Sequence, residues 1–141
     1  AAGIADGLGY GDNTKAALIT IGIAEISLLG VKMVATVQSF AGFSGIGDLI
    51  VTCASRHSRN RKAGVLIGQG KTMQEAMDEV KMVVEGVYSA KAAKALAEEY
   101  GVSMPIVEQV NAVLFENKAP KDAVDELMQR EKNVESQALD W

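Results

Sequence analysis

The sequence predicts an all-α fold, and three observations carry that prediction. Apolar residues recur at helical spacing wherever a period is visible, and no window sustains the alternation of a half-buried strand. Helix starts and stops are marked by Ser58, Thr72, Gly101, Pro105 and Pro120 at the edges of those periodic windows. Only two prolines occur in 141 residues, which leaves room for long helices. A chain of this length makes one domain with a sizeable core, and 48% apolar and 23% charged residues are the proportions of a folded globular domain.

From the N-terminus, four glycines between Gly3 and Asp12 read as a loop with unusual backbone angles. Asp12 or Asn13 then caps a helix to about Leu29, with Gly30 as its stop. Its apolar residues cover nearly all faces, which places it at the centre of the domain or in a subunit interface. Glu25 and Lys32 interrupt its apolar run, so no membrane span is expected. Thr36 opens a short helix to Phe40, and Ile46–Ala54 is an apolar run containing Asp48. Ser58 caps a helix from Arg59 to Ile67, stopped by Gly68 and Gly70. Thr72 and Glu75 form a capping box for a helix to about Val80. Val87–Tyr100 is the next helix, and Pro105 and Pro120 start helices to about Phe115 and Arg130. That makes about seven helices, with residues 1–130 as the domain and 131–141 as a tail without clear period.

Charge and composition exclude several functions. A net charge of −4 argues against sequence-wide attraction to nucleic acid or anionic membrane. The single cysteine, Cys53, cannot pair within the chain, which favours a reducing compartment. With one cysteine and one histidine, no zinc-ligand spacing exists, and the metal expectation is none. The opening AAGIADG has no basic segment before an apolar one, so it is not a signal peptide, and it reads as a cut inside a longer protein.

Two glycine patterns fail as nucleotide loops. Gly7-Leu-Gly9-Tyr-Gly11 has its third glycine too early, and Gly68-Gln-Gly70-Lys71-Thr72 lacks the first glycine of a phosphate loop, with Val65 in its place. The local anomaly is Ser55–Lys62, where four fixed cations and the only histidine, His57, fall within eight residues of an acidic chain. It lies at a helix start, where amide N–H groups and the helix dipole favour an anion. Arginine offers a planar fork to phosphate oxygens, and Ser58 and Asn60 add neutral donors. The plain alternative is a solvated basic turn; nucleic acid ranks last because no aromatic residue interleaves the cluster. Asp48 is an acid in an apolar run, so it either faces solvent or is held for a purpose, and Thr52 shares its helical face. Cys53 reads as packing rather than nucleophile. Glu85, before a helix, either caps it or bonds ligand hydroxyls.

In this order the blocks GLGYGDNTKAAL (Gly7–Leu18), GIGDLIVTC (Gly45–Cys53), SRHSRNR (Ser55–Arg61) and VVEGV (Val83–Val87) are similar to the C-terminal domain of the bacterial NAD(P)-dependent glycerol-3-phosphate dehydrogenase family. The resemblance covers roughly residues 1–130. It implies the multi-helical substrate-binding and dimerisation domain of the 6-phosphogluconate dehydrogenase C-terminal-like fold. It also implies a cytoplasmic, homodimeric oxidoreductase that interconverts dihydroxyacetone phosphate and sn-glycerol 3-phosphate for glycerophospholipid synthesis. The cofactor, NAD or NADP, is held mainly by an N-terminal Rossmann domain. By position, Asp48 takes the family's catalytic acid, supporting a proton-donor lysine that precedes AAGIADG. Asp48, Thr52, Ser58, Arg59 and Asn60 take substrate-binding places, and Arg59, Val83 and Glu85 take cofactor contacts. Lys15 matches a different position from that lysine, so the fragment alone is expected to be inert. The rival reading is a helical interaction module whose basic turn binds an anion without catalysis.

Overall fold

The computed structural model describes residues 1–32, 58–81 and 84–139, with 131–139 described as helix backbone alone. The expected helix at Thr36–Phe40 and the Ile46–Ala54 run lie outside the described residues. All described regular structure is helical: α1 (Ala2–Gly7), α2 (Asp12–Lys32), α3 (Arg59–Gly68), α4 (Met73–Val80), α5 (Glu85–Tyr100), α6 (Pro105–Phe115) and α7 (Pro120–Leu139). The final helix runs past Arg130 into the segment expected to be a tail.

The opening stretch corrects the expectation of a loop. Gly3 and Gly7 belong to α1, four residues apart and so on one face, and that face meets α3. A Cβ on Gly3 would stand 2.4 Å from the Arg61 carbonyl oxygen, and one on Gly7 2.2 Å from that of Val65. Across the contact, a Cβ on Gly68 would stand 2.4 Å from the Ile4 carbonyl oxygen, and one on Gly64 3.0 Å from the Ile4 nitrogen. The two backbones touch because neither helix carries a side chain there. Each glycine costs a helix about 1 kcal/mol relative to alanine, and the close crossing offsets it by burying Ile4, Ala5, Ala63 and Ile67. The turn itself falls later, at Gly9, whose φ of +88° is the one glycine-demanding conformation in the stretch.

An ion-pair cluster locks the same crossing. Asp6 on α1 pairs with Arg61 Nη2 of α3 at 2.9 Å and with Lys15 Nζ of α2 at 3.1 Å, all with largely covered side chains. Around it, Ile4, Ala63, Ile67, Ala76, Val84, Val87 and Val124 form the main core, so α1, α3, α4, α5 and α7 share one interior.

The local caps act as the sequence predicts. Thr72 Oγ1 accepts from the Glu75 amide at 3.2 Å, and the Glu75 carboxylate accepts from the Thr72 amide at 3.0 Å. Gly101 closes α5 with φ +65°.

α2 departs from expectation on burial. Leu18, Glu25 and Gly30 are buried, whereas Ile26, Leu28 and Val31 are exposed, Leu28 by 56%. By length and composition this helix is also apolar enough to cross a bilayer. In the fold it packs against α1, α5 and α6, and its central acid serves that packing. Glu25 is 4% exposed, and its carboxylate accepts from the backbone amides of Ile106 and, at 3.4 Å, Val107. Those are first-turn amides of α6, whose N-cap residue, Met104, supplies no side-chain acceptor.

Two outcomes follow. In the 141-residue chain, Gly68→Ala drives a Cβ into the Ile4 carbonyl and is expected to destabilise by about 2 kcal/mol or more, read as a lowered Tm. Gly11→Ala, with open space around its Cβ, is expected to leave Tm unchanged. Burial holds the Glu25 pKa above its usual 4.5, against the opposing pull of the two amides. The folded state therefore binds this proton more tightly than the unfolded chain. Its contribution is greatest below pH 4.5 and is lost as pH rises through the higher folded value. Denaturant titrations are expected to show wild type losing stability relative to Glu25→Gln as pH rises through that window, and a flat difference would refute the assignment.

Candidate anion site at two helix starts

Ser58 is the N-cap of α3, extended at φ −67° and ψ 121°, and its Oγ accepts from the Arg61 amide at 3.2 Å. Serine takes this position because its short side chain reaches a first-turn amide. Its hydroxyl proton remains available to donate. Arg59 and Asn60, the first residues of the helix, are exposed. The positive end of the α3 dipole, a guanidinium and two neutral side chains thus share one helix start.

The second helix start is brought beside the first. The Asn60 carboxamide oxygen accepts from the backbone N–H of Gly86 at 2.9 Å, across 26 residues of sequence. Gly86 is in the first turn of α5, whose N-cap Val84 has no side-chain acceptor to offer. Asn60 therefore supplies this cap, and the acceptor for that amide is Asn60 rather than Glu85. Glu85, the first residue of α5, is exposed beside this contact, with Val84 and Val87 buried beneath it.

The structure thus joins Ser58, Arg59 and Asn60 with Glu85 at one place on the surface. Asp48, Thr52 and Val83 lie outside the described residues, as do Cys53, Arg56 and His57. Within the basic segment the charges have different work. Arg61 turns to Asp6 and fastens α3 to α1, while Arg59 is exposed at the helix start. Lys15 pairs with Asp6 and ties α2 to the same cluster. In the sequence resembling a phosphate loop, Gly68 packs on α1, Thr72 caps α4 and Lys71 pairs with Glu79 at 3.4 Å. Among the described residues no group of three His, Cys, Asp or Glu stands ready for a metal ion. Sequence reasoning missed Gly86 and Asp6. The only trace of Gly86 was a glycine next to the singled-out Glu85.

Comparison with known proteins shows the family. The family described as NAD-dependent glycerol-3-phosphate dehydrogenase C-terminus matches residues 1–125. The chain is 70% identical over 141 residues to a glycerol-3-phosphate dehydrogenase [NAD(P)+] of Agathobacter rectalis, covering 100% of this chain and 42% of the relative. It is 67% identical over 138 residues to the enzyme of the same description in Fusobacterium nucleatum, covering 98% of this chain and 41% of that relative. The crystal structure of glycerol-3-phosphate dehydrogenase from Coxiella burnetii superposes with a TM-score of 0.87 at 38% identity, over 90% of this chain and 39% of that one. The chain therefore spans about two fifths of the relatives it matches, and its helical architecture is that of their C-terminal part. On this evidence the chain belongs to the NAD-dependent glycerol-3-phosphate dehydrogenase C-terminal family.

Proposed function

We propose that residues 1–130 form the substrate domain of an NAD(P)-dependent glycerol-3-phosphate dehydrogenase, which interconverts dihydroxyacetone phosphate and sn-glycerol 3-phosphate in the cytoplasm for glycerophospholipid synthesis. The observation that carries this reading is the Asn60–Gly86 hydrogen bond. It sets the start of α3, with Ser58 and Arg59, against the start of α5, with Glu85. Both substrates carry a phosphate dianion, and two converging helix starts with an exposed guanidinium suit such a group. Binding a phosphate remote from the reacting carbon helps hold that carbon in line for reaction.

In this reading Ser58, Arg59 and Asn60 grip the phosphate end, and Asp48 and Thr52 act at the carbinol end. Asp48 orients the lysine that protonates the developing alkoxide, a role the family resemblance gives it. Arg59, Glu85 and Val83 are the residues through which this chain would touch NAD or NADP. Two of them, Arg59 and Glu85, are exposed at the joined helix starts, which fits contact with a dinucleotide held by another domain. The cofactor supplies the hydride when bound. The 141 residues contribute the substrate half, so activity needs the cofactor domain in addition.

The apolar side chains that α2 exposes, Ile26, Leu28 and Val31, support a homodimer as the working form. A helical interaction module without catalysis is the competing class, and kinetics separate the two. In the full-length dehydrogenase carrying this domain, Arg59→Ala and Asn60→Ala are each expected to raise KM for dihydroxyacetone phosphate about 10- to 100-fold, since a hydrogen bond to a charged group contributes about 1.5–3 kcal/mol. Unchanged kinetics in both variants would overturn the assignment.

A further inference from the structure

At Gly86 the missing side chain makes room for Asn60, a residue of the candidate site. A Cβ built there would stand 2.8 Å from Asn60 Oδ1, 2.9 Å from Cγ and 3.3 Å from Nδ2, and it would meet nothing closer. Its backbone does not have the positive φ that calls for glycine at Gly9, Gly70 and Gly101. It also lies in the first turn of a helix, where alanine is favoured by about 1 kcal/mol. Neither backbone conformation nor helix propensity explains a glycine here; space for the Asn60 carboxamide does.

We infer that Gly86 is a positioning residue for the substrate: its N–H fixes the carboxamide of Asn60, and its lack of a Cβ keeps that carboxamide in place. The inference rests on the proposed role of Asn60 in binding the phosphorylated substrate. With Oδ1 held by the Gly86 amide at 2.9 Å, the carboxamide cannot turn over without losing that bond, which keeps the two Nδ2 protons in their place. They are then fixed as donors instead of exchanging places with an acceptor, which would repel a phosphate oxygen. The same bond ties the substrate end of the site to the turn carrying Glu85. A group added at Gly86 meets the far end of an exposed side chain rather than backbone, so Asn60 swings away and the fold persists.

The test is a double-mutant cycle in the full-length dehydrogenase, comparing Gly86→Ala, Asn60→Ala and the pair by Tm and by KM for dihydroxyacetone phosphate and for the nicotinamide cofactor. Gly86→Ala is expected to raise KM for dihydroxyacetone phosphate about tenfold, the scale of one misplaced hydrogen bond to an anion, with the fold kept and Tm lowered by no more than the loss of one helix cap. In the Asn60→Ala background, where the crowding is gone, the same change is expected to add less than about twofold, because coupled residues are non-additive. Multiplying effects would overturn the inference, as would an unchanged KM in Gly86→Ala while Asn60→Ala raises it. If Asn60→Ala itself leaves KM unaltered, the site reading fails and the inference falls with it. Should Gly86→Ala fail to fold, a folded double variant supports the crowding of Asn60, and an unfolded one overturns it.

Discussion

The backbone contact between α1 and α3 is the constraint on which the remaining structure depends. Four glycines, Gly3 and Gly7 facing Gly64 and Gly68, let the two helices approach until backbone atoms crowd the places where Cβ atoms would be. Such a crossing has little tolerance, because an added methyl has only backbone to displace. The position of α3 is thereby set along its whole length, including the first turn that presents Ser58, Arg59 and Asn60. Asp6 adds direction to the contact by holding Arg61 and Lys15 from two helices. Partly covered pairs of this kind contribute modestly to stability, and their larger effect here is to fix where the start of α3 stands relative to α1 and α2.

A second theme is that helices are capped by side chains from elsewhere in the fold. α5 and α6 begin with Val84 and Met104, neither of which can accept a hydrogen bond through its side chain. Asn60 serves α5 and Glu25 serves α6, each reaching across from another helix. Asn111, buried in α6, returns the favour by donating to the carbonyl of Ala90 in α5 at 2.9 Å. Orphan amides that would otherwise lose their water are satisfied by tertiary contacts. Each such contact also sets the position of a helix end. For Asn60 that end belongs to the candidate site, so one hydrogen bond both caps a helix and joins the two helix starts of that site.

The electrostatic logic of the site follows from this division of labour. A basic segment in an acidic chain need not put all its charge on a ligand. Arg61 is committed to Asp6, whereas Arg59 stands exposed where the dipole of α3 is positive. Among the described residues of this basic run, Arg61 thus works as a structural cation, and Arg59 and Lys62 are exposed in the first turn of α3. Glu85 adds an acid at the neighbouring start, which suits hydroxyl groups better than phosphate. The two helix starts thus differ in charge, one carrying Arg59 and the other Glu85.

Much of the molecule was legible from local chemistry alone. Ser58, Thr72, Gly101, Pro105 and Pro120 mark helix ends because each acts on amides or carbonyls within about four residues, or on its own φ. The SRHSRNR and VVEGV blocks, which the resemblance marks as the candidate site, supply Asn60 and Gly86, and the fold brings these two together. α1 was misread because glycine's local cost was counted without the packing that offsets it. Composition makes α2 apolar on nearly all faces without saying which of them finds a partner within the chain, and Ile26, Leu28 and Val31 find none there that buries them. Glu25 meets the α6 amides from 81 residues away, and Gly86 meets Asn60 across 26. No periodicity or cap rule spans such distances. The sequence by itself determined the helices and the chemical character of their ends, since those depend on neighbours along the chain. Which helix backbones touch, which end each distant side chain caps, and which two ends form one site were decided only by tertiary structure, where burial and close packing act between residues remote in sequence.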